Sequence, residues 1–519
     1  MFTPSDSDSE HRSRSPPTSL SRKPGRPLDP LAPHQLVEGV QPPGGPKPSS
    51  LPSSVKGPSV ATWAAHILEA TKESRAGLGA QLRPLIIHGG FSGIGSHARV
   101  LQETGVDFKE TASAEPKEHA KRFLSYNGLL AEHHYDDLQT VTTGSPAHCA
   151  CCHGICHPPP DRPDLFLAGF SCQPFSKMRQ KTMKATPPSK HAKFNALALL
   201  VEYCIRRQPR LVVLENTKGF GHEMEIDGRK VVGCQWLQVQ LSSLYFTSWV
   251  ALDSKAWVNV RRPRLWIFLV HKDTGSQRTA DLAVSFATQV QAHRSQKSPD
   301  SLQTDYMLQP GTPEWEKEVL AGQAGSLEPR KSNSCFAKAS WLKQAEKMRA
   351  KWRAEGFVGS EAHPLASAAL RGLRGTDRER EVLEVFLIAA CLARGVCPLD
   401  EASTTAVKAE LTADVSQNLV WLRPEHGEVA GVFCTESRVY SFRHDRLVLP
   451  QEQLAAMGWQ DPGKPATRPS VAGLSSTDIQ DLVGECQALP CLAAAIWGIL
   501  LAANTDVPRL WAGRRPQTS

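Results

Sequence analysis

The sequence predicts an α/β fold in which a mostly parallel sheet is covered by helices on both faces. Three observations carry this expectation. From Leu85 onward, apolar runs of strand length alternate with segments of helical length. Proline and glycine stand where helix ends want them. A glycine-rich loop joins the first strand to the first helix, as it does where a sheet's carboxyl ends bind ligands.

In order, LIIHGG (85–90) is the first strand and HARVLQETG (97–105) a helix closed by Gly105. ETASAE (110–115) is the second strand. PKEHAKRFLSYNG (116–128) is a helix opened by Pro116 and closed by Gly128. DLFLAGF (164–170), RLVVLEN (210–216) and RLWIFLV (264–270) are further strands, with FNALALLVEYCIRR (194–207) as the helix between the first two. Alternation of this kind pairs the strands in parallel.

Around this core the composition changes. Residues 1–60 are rich in Ser, Pro and Arg without apolar periodicity, and are expected to be disordered. Within them Lys23-Pro24-Gly25-Arg26-Pro27 resembles a minor-groove-binding arm. A catalytic core is expected over 61–272, a small domain or insertion over 273–430, and a return to the core over 431–510. In the insertion, KASWLKQAEKMRAKWRAEG is a basic helix with Trp341, Ala345, Met348 and Trp352 on one face. EREVLEVFLIAACLARG is an apolar helix.

A formal charge of +8 suits a polyanionic partner, though spread over 519 residues the excess is mild. The 13 cysteines are scattered along a large chain with no apolar stretch at its N-terminus, and read as reduced, intracellular thiols. The run Ala488–Ala503 contains Pro490 and Gly498 and is short for a bilayer, so a buried helix is expected rather than a membrane span. A nuclear address, or alternatively a cytoplasmic one, remains.

Four constellations carry chemistry. Phe91-Ser92-Gly93-Ile94-Gly95 lies between a strand and a helix, where glycines let the backbone approach a ligand. Glu115 ends the next strand, placed to accept both hydroxyls of a ribose, and Asp137 ends a third element, where it meets an adenine amine or simply a solvated turn. Together they describe a nucleoside-bearing cofactor. Cys172 follows the turn at Gly169, an arrangement that exposes a thiol as a nucleophile. Glu215-Asn216 ends another strand, and a protonated carboxyl there makes a heteroaromatic ring more electrophilic. Arg262 and Arg264 open the strand LWIFLV, and their spacing of two puts them on one side of it.

Taken in order, these motifs resemble the cytosine-C5 DNA methyltransferases that use S-adenosylmethionine. The likeness covers 85–272 and 440–503. Phe91–Gly95 looks like the family's cofactor loop, Gly169–Ser176 its nucleophile loop, Glu215-Asn216 its catalytic pair and Arg262-x-Arg264 its arginines. Arg446 to Glu452, followed by Gly458-Trp459, resembles a structural motif, and Gly484-Glu485-Cys486 falls where the last motif returns to the cofactor pocket. The chain departs at Ser171, Thr217, Val260 and Glu485, where the family usually has Pro, Val, Gln and Asn.

The resemblance implies a Rossmann-like methyltransferase fold with an inserted recognition domain, and a DNA substrate whose flipped cytosine forms an adduct with Cys172. It implies roles for Glu215 at N3, for Arg264 at O2 and for Glu485 at the cofactor. An RNA substrate is the alternative within the fold, and a catalytically weak chromatin-binding protein the alternative outside it. The stretch His148 to His157 lies apart from the likeness. It reads as a cysteine-rich insertion, or as a zinc site with Cys149, Cys152, Cys156 and His157 as ligands.

Overall fold

The structure, a computed structural model, describes residues 61–76, 83–175, 194–226, 229–258, 260–295, 307–308, 311, 346–347, 350, 377–397, 400–416, 433–435, 437–460 and 468–506. The arm at 23–27 and the Trp341, Ala345, Met348 and Trp352 stripe lie outside the described residues, as does Ser176.

Eleven strands run through the core region: β1 (Leu85–Gly90), β2 (Phe108–Ala114), β3 (His134–Tyr135), β4 (Ala147–Cys149), β5 (Gly154–Cys156), β6 (Leu165–Gly169), β7 (Leu211–Thr217), β8 (Glu223–Ile226), β9 (Arg229–Val232), β10 (Tyr245–Asp253) and β11 (Pro263–His271). Seven of them form one sheet in the order β10-β11-β7-β6-β1-β2-β3. β3, β2, β1, β6 and β7 pair in parallel, while β11 runs against both β7 and β10. This is a Rossmann-like sheet, with one reversed strand near its edge.

Strand alternation sorts the apolar side chains into two layers. Leu165, Leu167, Leu211, Val213, Trp266, Phe268 and Val270 face one core. Phe166, Ala168, Val212, Leu214, Leu265, Ile267 and Leu269 face the other. The first face is covered by helices Thr62–Ala70, Ser96–Glu103, Glu118–Tyr126, Gln277–Ser295 and Leu489–Asp506. The second is covered by Leu138–Thr143, Asn195–Arg207 and Gly233–Leu241. Being buried on both sides is why these strands read as continuous apolar runs.

The helix punctuation is realised in the backbone: Gly105 (φ 69°) and Gly128 (φ 63°) follow their helices in the left-handed region. The apolar C-terminal helix is buried from Leu489 to Ala503, so it is a core helix. Helix Gln277–Ser295 falls within the stretch read as a separate domain. Its Ala280, Ala283, Ala287 and Val290 nevertheless join the first core, so the sheet's cover extends past residue 272.

A smaller apolar cluster lies beyond it. Helices Asp377–Ala393 and Glu401–Ala409 pack on a three-stranded sheet of β12 (Thr412–Asp414), β13 (Val439–Ser441) and β14 (Arg446–Leu447). Just after β14, Glu452 is buried with both oxygens committed. It receives the Arg446 guanidinium at 2.8 and 2.7 Å, the Leu449 amide at 2.8 Å and the Leu308 amide at 2.6 Å. That bidentate pair gives the 446–452 motif its structural role.

Candidate active site

The chemistry-bearing residues sit beyond the carboxyl ends of β1, β2, β6 and β7 and at the start of β11. β11 runs backwards, so its first residues lie beside the last ones of β7: Arg264 pairs with Thr217 and Trp266 with Glu215. On the other side of β7, Glu215 is in register with Gly169 of β6. Topology therefore brings three distant segments to one place.

Past Gly169 the chain makes a short helical turn, Gln173–Phe175, closed by the Phe175 amide on the Cys172 carbonyl at 2.9 Å. Phe170, Phe175 and Phe220 pack edge to face beneath it, with ring centroids 4.9–5.8 Å apart. Gly219 sits so close under the loop that a Cβ there would come within 1.9 Å of the Phe175 carbonyl. The Cys172 loop is thus anchored on aromatic side chains while its thiol is only partly covered.

Glu215 and Arg264 are joined, Oε1 to Nε, at 2.9 Å. Gly169 is required by close approach, since a Cβ there would stand 3.3 Å from Glu215 Oε2 and 3.1 Å from Gln487 Nε2. Gln487 is a neighbour that carried no signal in the sequence. Asn216 braces the site: its Nδ2 donates to the Phe170 carbonyl at 2.9 Å, and its Oδ1 accepts from the Thr217 amide at 2.9 Å.

Burial pushes the Cys172 thiol up from its ordinary value; Arg264 and Arg262 pull it down, and Glu215 pushes it further up. Desolvation outweighs the pull of Arg264 toward the thiolate. Arg264 is itself lowered by burial and by Arg262, with Glu215 opposing.

Arg262 corrects the sequence reading of a second catalytic arginine. It precedes β11 instead of alternating within it, and its guanidinium is spent on backbone. It donates to the carbonyls of Phe433 (2.8 Å), Gly484 (3.0 Å) and Cys486 (2.8 Å). It ties the returning C-terminal segments to the catalytic strand and acts on Cys172 only through its charge.

The cofactor loop has the conformations a ligand cradle needs. Phe91 (φ 51°), Gly93 (φ 53°) and Gly95 (φ 73°) lie in the left-handed region, rare for a phenylalanine. A Cβ on Gly93 would meet nothing within 4 Å, so the loop borders open space. Ser92 is held by its amide on the Ala114 carbonyl, and Ile94 anchors the loop in the core.

Glu115 is hydrogen-bonded to this loop. Its oxygens accept from the amides of Gly93 (2.9 Å) and Lys117 (3.1 Å), and burial raises it against those two bonds. Glu485, standing where the family has Asn, is matched by Lys117, whose ammonium lies 2.5 Å from both Glu485 and Asp481. Asp137 is exposed and caps helix Leu138–Thr143 through the Gln139 amide at 2.9 Å.

A model of the C-5 cytosine-specific DNA methylase family matches residues 90–353, just over half of the chain. The chain belongs to this family. The glycine loop, Cys172 and Glu215 all lie inside the matched span, while the Glu452 and Glu485 motifs lie beyond it.

Among solved structures, the methyltransferase is similar to the Dnmt2 methyltransferase of S. pombe. That match has 12% identity and a TM-score of 0.39, and covers 80% of this chain and 98% of the other. It is also similar to a protein described as a DNA modification methyltransferase encoded within a prophage of E. coli, with 15% identity, a TM-score of 0.41, and coverage of 80% and 98%. No curated protein matches the sequence. The assignment rests on the family match.

Proposed function

We propose that this protein methylates cytosine C5 in DNA through a covalent adduct at Cys172. What supports the reading most is one juxtaposition: a nucleophilic thiol beside a 2.9 Å Glu215–Arg264 pair, all delivered by strand ends of the same sheet. The family match to DNA methylases favours DNA over RNA, and the +8 charge suits either polyanion. A nuclear address goes with that substrate.

The open glycine loop and the buried Glu115 fit a nucleoside-bearing methyl donor, with Glu115 free to exchange backbone amides for ribose hydroxyls. S-adenosylmethionine, when bound there, supplies an electrophilic methyl group. The chain's own residues prepare the ring. Cytosine C5 is a weak nucleophile until a thiolate adds at C6, which turns C5 into an enamine carbon. Cys172 gives up its proton to solvent water and its thiolate forms the C6–S bond, while a protonated Glu215 carboxyl donates to N3 as negative charge develops there. Arg264 holds Glu215 and faces the O2 edge. Loss of the C5 proton to solvent water and breaking of the C6–S bond return the thiolate, which regains a proton from solvent.

Glu215 also sets the timing. Its negative charge opposes ionisation of Cys172, and that opposition is absent while the carboxyl holds its proton in the hydrogen bond to N3. Incubating the protein with methyl donor and 5-fluorocytosine-containing duplex DNA should trap a covalent complex that disappears in Cys172→Ala. A complex on matched RNA alone would move the substrate to RNA. No complex on either would overturn the catalytic reading.

A further inference from the structure

Outside the active site, the hairpin of β4 and β5 gathers a set of ligand atoms that the methyltransferase reading does not use. Cys149 ends β4, Cys152 lies in the turn and Cys156 ends β5, with Cys149 in register with Gly154 and Ala147 with Cys156. His133 comes from the main sheet, one residue before β3. The Sγ atoms of Cys149, Cys152 and Cys156 stand 3.9, 3.6 and 3.4 Å from the same nitrogen, His133 Nδ1. All four ligand atoms lie within 4.8 Å of one another.

One ring nitrogen makes one hydrogen bond, so hydrogen bonding does not account for three thiols converging on it. A cation at the centre does. With Zn–S near 2.3 Å and Zn–N near 2.0 Å, a tetrahedral site separates sulfur from nitrogen by about 3.6 Å, in the middle of the distances seen. Three thiolates and an imidazole are also the donor set that a borderline-soft, tetrahedral ion selects, and four protein ligands leave no open position for catalysis.

We propose that His133, Cys149, Cys152 and Cys156 bind a structural zinc ion that clamps the β4–β5 hairpin to the edge of the main sheet. The surroundings fit a metal centre. The Tyr135 hydroxyl lies 3.3 Å from the Cys156 sulfur, and backbone amides of Cys152 and Cys151 hydrogen-bond to the Cys149 sulfur. The turn after Cys152 needs His153 in the left-handed region (φ 51°), backbone geometry that folds the two strand ends toward one point.

The hairpin's own strand pairing is slight. Its strands are three residues long, Cys149 is its one buried residue, and Ile155 at its tip is 78% exposed. An isolated two-stranded ribbon of this size is marginal. One main-chain bond, from the Ala150 amide to the His134 carbonyl at 2.9 Å, joins it to β3. A metal bridging His133 to three hairpin cysteines supplies the missing cross-link.

The structure also corrects the ligand set read from the sequence. His157 is turned away, its Nδ1 lying 3.3 Å from the Gly144 carbonyl. Cys151 points elsewhere too, its thiol 3.0 Å from the Ala131 carbonyl. His133, sixteen residues before Cys149, takes the fourth place.

The test uses the full-length protein purified without chelator. Elemental analysis should find about one zinc per chain. Cobalt(II) exchanged into the site should give the intense ligand-field and thiolate charge-transfer bands of a tetrahedral centre. His133→Ala and Cys156→Ser should lower the metal below about a tenth per chain, while His133→Cys, Cys151→Ser and His157→Ala keep it. A protein that takes up no zinc from supplemented medium overturns the proposal. So does an octahedral cobalt spectrum, a disulfide among the three cysteines, or loss of metal in His157→Ala but not in His133→Ala. None of these readouts depends on methyl transfer.

Discussion

At Cys172 three nearby charges and desolvation compete for one proton. Burial dominates and raises the thiol, Arg264 and Arg262 lower it, and Glu215 raises it again. Removing the negative neighbour therefore has to lower it, and removing the positive one has to raise it. Glu215→Gln should speed alkylation of Cys172 by iodoacetamide at neutral pH by roughly three- to tenfold, and Arg264→Met should slow it by a similar factor. Following the Cys172 peptide by mass spectrometry across pH reads this directly and separates it from the other cysteines. The Glu215→Gln protein would then hold a more reactive thiol and yet fail to form the cytosine adduct, because the proton donor at N3 is gone. Equal alkylation profiles in wild type and both variants would mean that the Glu215–Arg264 pair does not govern the nucleophile. The same balance makes adduct formation in the wild type rise with pH on the alkaline side of neutrality, since a raised thiol is largely protonated at pH 7.

Between elements, helices Gln277–Ser295 and Leu489–Asp506 pack closely. A Cβ on Gly498 would come 2.7 Å from the Ala283 carbonyl and 3.1 Å from the Ala287 Cβ. Gly498→Val should therefore force the two helices apart at a cost of about 1–3 kcal/mol, seen as a fall of several degrees in the thermal midpoint. An unchanged midpoint would show that the contact gives way freely.

This contact also marks where the sequence stops being legible. The five apolar strands and the helices between them could be read because each carries its own period and its own end signals. So could the Cys172, Glu215 and glycine loops, because each is contiguous. The strand β10 escaped notice because YFTSWVALD mixes polar and apolar positions, being half-covered along much of its length. Helix Gln277–Ser295 was read as the start of an insertion because its partner, the C-terminal helix, lies far along the chain. His133 and Gln487 were invisible for the same reason. Their roles come from register across the sheet and from chain return, which no local spacing encodes. Arg262 looked catalytic from its spacing to Arg264, yet the strand begins only at Pro263.

For the molecule as a whole, the sheet is the keystone of both cores, so a change at its centre is felt throughout. His88 lies on β1, an interior strand flanked by β6 and β2, and is fully buried. Its Nδ1 is 2.6 Å from the Tyr203 hydroxyl in one covering helix, and its Nε2 is 3.0 Å from Thr111 Oγ1 on β2. Desolvation first, and then the charge of Arg207, lower it to about 3 from an ordinary value of 6.5. The fold thus accommodates the neutral ring and excludes the charged one. In the unfolded chain the same ring takes up a proton below pH 6.5, and binding a proton there favours unfolding. The stabilisation is complete above pH 6.5 and is lost as pH falls from 6.5 toward 3, at up to about 1.4 kcal/mol per pH unit. His134 and His271, lowered in the same direction by burial, steepen the loss. Urea unfolding at a series of pH values between 7.5 and 5 should show this slope, with far-ultraviolet dichroism and tryptophan fluorescence moving together because the buried Trp266 stands on the same sheet. His88→Gln keeps hydrogen-bonding groups toward Tyr203 and Thr111 but cannot take the proton, so its stability should fall less steeply over that range. Parallel slopes in the two proteins would mean that acid opens the molecule elsewhere and leaves β1 for last.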